Sequence, residues 1–151
     1  MVYEQDYILR LIQRVGVFLR EMVSALREHR PQEALEVSEE ALHHITGLSS
    51  DAAKNTSVHN LLLILSARDR IDVKRALLLA EVFAERAEAY EQQHDEAAAA
   101  REREKAQVLA RAVLDEARES QDGDRARMLL GQLGNGRAAG NGGTDPAPGD
   151  E

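Results

Sequence analysis

The chain has 151 residues, 43% of them hydrophobic and 30% charged, with 3% aromatic residues, no Cys and no Trp. A single domain of this length buries about 70% of the surface its unfolded chain exposes, and with so few rings its core must come from Ala, Leu, Val and Ile, which favours close-packed helices over stacked sheets. The missing Cys excludes disulfides, Cys-ligated zinc, iron-sulfur clusters and thiol nucleophiles, and the net charge of -8 excludes gripping nucleic acid through a broad basic surface.

Glu4 and Asp6 precede the first Arg at position 10, unlike a signal or transit peptide. No run reaches the ~18 apolar residues of a membrane span. The expectation is a cytoplasmic protein without membrane or nucleic-acid partners.

The first predicted helix covers Tyr3 to His29. Ile8, Leu11, Ile12, Val15, Leu19, Met22, Val23 and Leu26 recur at steps of three and four, with Tyr7, Phe18 and Ala25 on the flank, so it should touch two neighbours. Pro31 opens a second helix running to Thr46, where Gly47 stops it. Leu48 to Asn55 reads as a polar loop. Thr56 or Ser57 caps a short third helix over about 57–66 whose Leu61, Leu62, Leu63, Ile64 and Leu65 are apolar all round, which predicts burial. Asp69 or Asp72 caps a fourth helix to Gln93, and a fifth runs from Asp95 to Ser120 until Gly123 breaks it. Met128, Leu129, Leu130 and Leu133 allow one more short turn. Residues 131–151 hold seven of the ten glycines with Pro146 and Pro148, the composition of a disordered tail. The predicted architecture is therefore all-α: an ordered part over 1–130, with helical hairpins at about 3–47 and 70–120 and a buried helix between them, followed by the tail.

An offset of about 65 residues pairs Arg10 with Arg75, Val17 with Val82, Phe18 with Phe83, His29 with His94, Ala34 with Ala99, Glu39 with Glu104 and Ala41 with Ala106. The matches fall at equivalent places in two helix-turn-helix units, as an internal repeat requires. Each unit resembles the tetratricopeptide repeat, in which bulky residues on the first helix meet small ones on the second. Phe83, Ala87, Tyr90, Ala99 and Ala106 meet that pattern in the second unit. In the first, Phe18, Ala34 and Ala41 fit, Met22 is larger than the pattern prefers and Ala25 replaces the aromatic. Arg86 and Arg103 stand where the repeat usually carries apolar side chains, and His29 and His94 replace its turn Gly. The opening segment Tyr3-Glu4-Gln5-Asp6-Tyr7-Ile8-Leu9-Arg10-Leu11-Ile12 also resembles that of a family of short bacterial helical proteins catalogued as a domain of unknown function; this resemblance implies a bacterial helical protein and no activity.

Two Glu-x-x-His motifs, Glu40-Ala-Leu-His43 and Glu91-Gln-Gln-His94, have the spacing with which ferritin-like bundles hold two metals, and Glu21 and Glu102 are candidates for the remaining carboxylates. Against a metal site, Glu40 and His43 lie opposite the apolar face formed by Ala34, Ser38, Ala41, Leu42 and Ile45, and His94 falls at a turn. His43 and His44 diverge by about 100° on their helix, and His59 reads as a polar contact at a helix start. No phosphate loop or nucleophile elbow is present in the sequence.

What remains is recognition. The repeat resemblance implies ligands along the first helix of each hairpin, where Glu81, Ala84, Glu88, Glu91 and Gln92 form an acidic face suited to a basic segment, although Glu-rich helix faces are most often simply solvated. Leu19, Val23 and Leu26, extended by Leu9 and Val17, could serve packing within the domain or against a second copy. The expected function is a non-enzymatic protein-interaction or scaffold module needing no cofactor or metal, with a protein or basic peptide as partner. The alternatives are a metal-dependent helical protein using the Glu-x-x-His motifs and a structural homodimer subunit.

Overall fold

The computed structural model describes residues 2–67 and 69–142, with side chains described over 5–67 and 69–134. Within them the chain forms seven helices and one two-stranded hairpin: α1 (Val2–Arg27), α2 (Pro31–Thr46), α3 (Ser50–Asn55), α4 (Val58–Ile64), β1 (Ser66–Ala67), β2 (Arg70–Ile71), α5 (Val73–Gln92), α6 (Glu96–Glu116) and α7 (Gln121–Gly142). The class is all-α. No helix among the described residues is long and apolar enough to cross a membrane.

Two antiparallel pairs, α1 with α2 and α5 with α6, supply the frame, and α5 packs against α1, α2, α6 and α7. Ala76, Leu77, Leu78, Leu79 and Ala80 are all buried in succession, as only a helix covered on every side allows. The central element is thus α5, and the sequence reading needs correcting at α4. Leu61 and Leu65 are 0% and 3% exposed, but Leu63 and Ile64 are 71% and 43% exposed. A helix of two turns at the edge of the fold packs mainly on α6 and leaves its outer face open.

The helix ends follow their capping chemistry. Pro31 occupies the first turn of α2, and Gly47 ends it with φ 78°. The expected loop at Leu48–Asn55 instead contains α3, because Ser49 accepts a hydrogen bond from the Ala52 amide at 3.2 Å; its Ser and Asp are a helix start rather than a break. Ser57 caps α4, Asp72 caps α5 and Asp95 caps α6, each accepting from the amide three residues on. Asp69 is no cap; it sits at φ 66° in the turn between β1 and β2, which pair Ser66 with Ile71 and Ala67 with Arg70.

The C-terminal region also differs from expectation. α6 stops at Glu116, and Gly123 lies inside the first turn of α7 instead of breaking a helix. The short turn expected around Met128–Leu133 is part of a helix that continues through 131–142, anchored where Leu129, Leu130 and Leu133 pack on the core. Of the tail expected over 131–151, residues 143–151 lie outside the described residues.

The two hairpin turns have the same hydrogen bonds, offset by 65 residues. His29 N–H donates to the Leu26 carbonyl (3.0 Å) and Arg30 N–H to Ala25 (2.8 Å), while His94 N–H donates to Glu91 (3.0 Å) and Asp95 N–H to Tyr90 (2.9 Å). This is the Schellman closure, which needs a left-handed residue, and His29 and His94 adopt φ 59° and 62°. A Cβ in that region crowds the following carbonyl oxygen and costs about 1–2 kcal/mol that Gly escapes. His94→Gly, and independently His29→Gly, should therefore raise the melting temperature; a fall in both would mean that the imidazoles make contacts worth more than the strain.

Small residues occupy the close crossings. Ala34 and Ala41 of α2 and Ala99 and Ala106 of α6 are 0–1% exposed, and Phe83 is fully buried. Phe18, by contrast, is half-buried and meets the His44 ring at 5.3 Å between centroids.

Candidate functional site

Two clusters of charge are built onto this frame, one buried and one open. The buried cluster centres on Arg86 of α5, 3% exposed. Its Nε donates to Glu102 Oε1 of α6 at 2.6 Å, one terminal nitrogen donates to Ser38 Oγ of α2 at 2.8 Å, and the other reaches the Tyr90 hydroxyl at 3.3 Å. Ser38 passes its own hydrogen to the Leu35 carbonyl at 2.6 Å. Lys105 completes the cluster, 3.4 Å from Glu102 Oε2, with its Nζ 5.1 Å from the Phe83 ring centroid and donating to the Lys54 carbonyl at 3.2 Å. One guanidinium thus ties three helices together, a geometry that suits its rigid fan of donors.

The open cluster is a groove of about 240 Å³ between α5, α6 and α7. Ala84, Glu85, Ala87, Glu88 and Glu91 come from α5, Arg103 from α6, and Leu129, Gln132 and Leu133 from α7. α7 lies alongside α5 in the same direction, held by Lys74 with Asp122 at 2.9 Å and by Arg125 with Glu81. Glu81, Glu85 and Glu88 recur at steps of four and three, so α5 presents them on one face. Glu81 is paired, and Glu91 accepts from Arg103. Glu85 and Glu88 have no cation within ion-pair distance among the described residues.

Burial, reinforced by the neighbouring charges of Glu88 and Glu81, pushes the Glu85 carboxyl up to about 7. Burial also holds Glu81 above its ordinary range, although Arg125 opposes the shift. An acid whose folded pKa is raised lowers stability as pH climbs from its ordinary 4.5 through about 7. Glu85→Gln should therefore stabilise the fold at pH 8, on the order of 2 kcal/mol after solvent screening at the open edge of the groove, and by almost nothing at pH 4. Urea unfolding at the two pH values measures the difference; equal effects at both would show Glu85 to be solvated.

Of the face expected from the sequence, Ala84, Glu88 and Glu91 line the groove, and Glu81 is the pillar on which Arg125 rests. Gln92 is turned aside, its Nε2 donating to the Leu26 carbonyl of α1 at 2.9 Å. Glu85, Leu129 and Leu133 were not among the expected site residues. The spacing Glu81, Glu85, Glu88 could have identified Glu85; the α7 wall had no signal, because its residues lie 38 to 49 positions from those of α5 in sequence.

The Glu-x-x-His residues do not converge. His43 Nδ1 donates to the Leu48 carbonyl and His44 Nδ1 to the Glu40 carbonyl, both at 2.8 Å. Glu91 and Glu102 are engaged by Arg103 and Arg86, and His94 closes its turn. Glu21 and His59 are exposed on α1 and α4. Among the described residues no three His, Asp or Glu side chains are grouped as metal ligands. No protein-family model, curated protein or solved structure matches this chain.

Proposed function

We propose that the protein is a non-catalytic interaction module of tetratricopeptide type that holds a Lys- or Arg-bearing segment of a protein partner in the groove between α5, α6 and α7. The observation that carries this reading is Glu85, a partly buried carboxylate beside Glu88 with no cation of its own among the described residues and a pKa raised to about 7. Such a group destabilises the free fold, and a residue that costs stability is commonly one that serves binding. An ammonium or guanidinium entering the groove relieves the repulsion, while its aliphatic stem lies on Ala84, Ala87, Leu129 and Leu133. The matched hairpin turns support the repeat reading, and the groove lies on the first helix of the second hairpin, where that resemblance expects a ligand.

The test is a fluorescence-anisotropy titration with a labelled helical peptide that carries Lys or Arg on successive turns. Saturable binding is expected, weakened at least about tenfold by Glu85→Gln with Glu88→Gln, which is a loss of about 1.4 kcal/mol, and weakened again by added salt. A peptide with Glu in place of Lys should not bind. Equal affinity for the double variant, or no saturable binding to the native chain, overturns the reading.

A further inference from the structure

We propose that the segment filling this groove is supplied by a second copy of the chain: the outer face of α1 in one molecule docks into the α5–α6–α7 groove of the next, head to tail. The inference rests on the groove reading above and names its partner. Two complementary faces of one molecule carry it. On α1, Arg10 and Arg14 are exposed one helical turn apart and pair with no carboxylate among the described residues. Tyr7, 54% exposed, precedes them by a turn and Val17, 42% exposed, follows by a turn. Arg10, Gln13, Arg14, Val17 and Phe18 together line a shallow hollow that no element of the fold fills among the described residues.

The groove presents the opposite pattern. Glu85 and Glu88 stand one turn apart over Ala84, Ala87, Leu129 and Leu133. Charges one turn apart on a helix are spaced by about 5–6 Å, so two Arg on α1 can meet two Glu on α5 in register. Such opposite charges steer the encounter and set the register more than they add affinity. The contact joins two different surfaces, so it is heterologous, and each docked molecule still offers a free face at either end.

The experiment uses the full chain and two charge variants, Arg10→Gln with Arg14→Gln, and Glu85→Gln with Glu88→Lys, with circular dichroism confirming that both remain helical. In sedimentation velocity the native chain should gain mass with concentration and lose it with added salt, and each variant alone should stay monomeric. The two variants mixed should form a dimer and stop there, because the first keeps only its groove and the second only its α1 face. The α1 variant should still bind the basic peptide; the groove variant should not. A native chain that binds the peptide yet stays monomeric up to millimolar concentration overturns self-docking and leaves the groove reading standing. Variants that associate like the native chain, or a mixture that forms no dimer, also overturn it. Absence of peptide binding by every form removes the groove reading itself.

Discussion

Replacing Arg86 with Ala should destabilise the fold by about 3–5 kcal/mol, the cost of removing one partner of a buried ion pair. Glu102 is 6% exposed and accepts a 2.6 Å hydrogen bond from Arg86. The guanidinium also satisfies Ser38 Oγ, which is fully buried, so its removal strips partners from α2 and α6 together. Lys105 remains near Glu102 at 3.4 Å, too long to replace a direct charge-assisted bond. The double variant Arg86→Met with Glu102→Leu should lose much less than Arg86→Ala, because two apolar groups of similar volume remove the desolvation cost along with the pair. Urea denaturation of the three proteins measures both differences. A loss below about 1 kcal/mol for Arg86→Ala would place Glu102 in water and dissolve the cluster as a structural tie.

Gly123→Ala should cost about 2–3 kcal/mol, at the upper end of small-to-large substitutions, because the added methyl meets backbone that cannot swing aside. A Cβ at Gly123 would lie 2.1 Å from the Ala117 carbonyl oxygen and 2.7 Å from that of Arg118. Relief requires moving the start of α7, where Ser120 Oγ accepts from the Gly123 amide at 3.1 Å and the neighbouring Asp122 and Arg125 hold α5. The wall formed by Leu129 and Leu133 would move with it, so affinity for the basic peptide should fall alongside stability. Gly131→Ala is the internal comparison: nothing lies within 4 Å of its Cβ position on the same helix. It should stabilise by about 0.5–1 kcal/mol through lower backbone entropy. Equal effects from the two substitutions would remove the close approach as the reason for Gly at 123.

Much of the site was legible because helices print their faces into sequence. Steps of three and four placed Glu88 with Glu81 and Glu91 on one side of α5, and the matched His29 and His94 marked two equivalent turns that share a left-handed backbone. Arg86 was visible as a charge at a normally apolar position, but its partners were not. Ser38 lies 48 residues away and Glu102 lies 16 away on a different helix, and only the crossing of α2, α5 and α6 brings them within hydrogen-bonding distance. Local pattern says which way a side chain points and is silent about what it meets.

By itself the sequence determined the all-α class, the helix starts at Pro31 and Asp95, the choice of Thr56 or Ser57 and of Asp69 or Asp72 for two more, and the acidic face of α5, and the structure selected Ser57 and Asp72. These are short-range properties, set by capping, propensity and the 3.6-residue period. The tertiary structure alone decided that α5 and not the Leu-rich α4 is central, since both are rich in apolar residues and burial depends on how many neighbours an element acquires. It also decided that α7 continues past residue 131 and stands beside α5 to turn an acidic helix face into a groove. A helix so rich in Gly has little intrinsic stability; what holds it is Leu129, Leu130 and Leu133 on the core and two ion pairs to α5, contacts that exist only once the rest of the chain has folded.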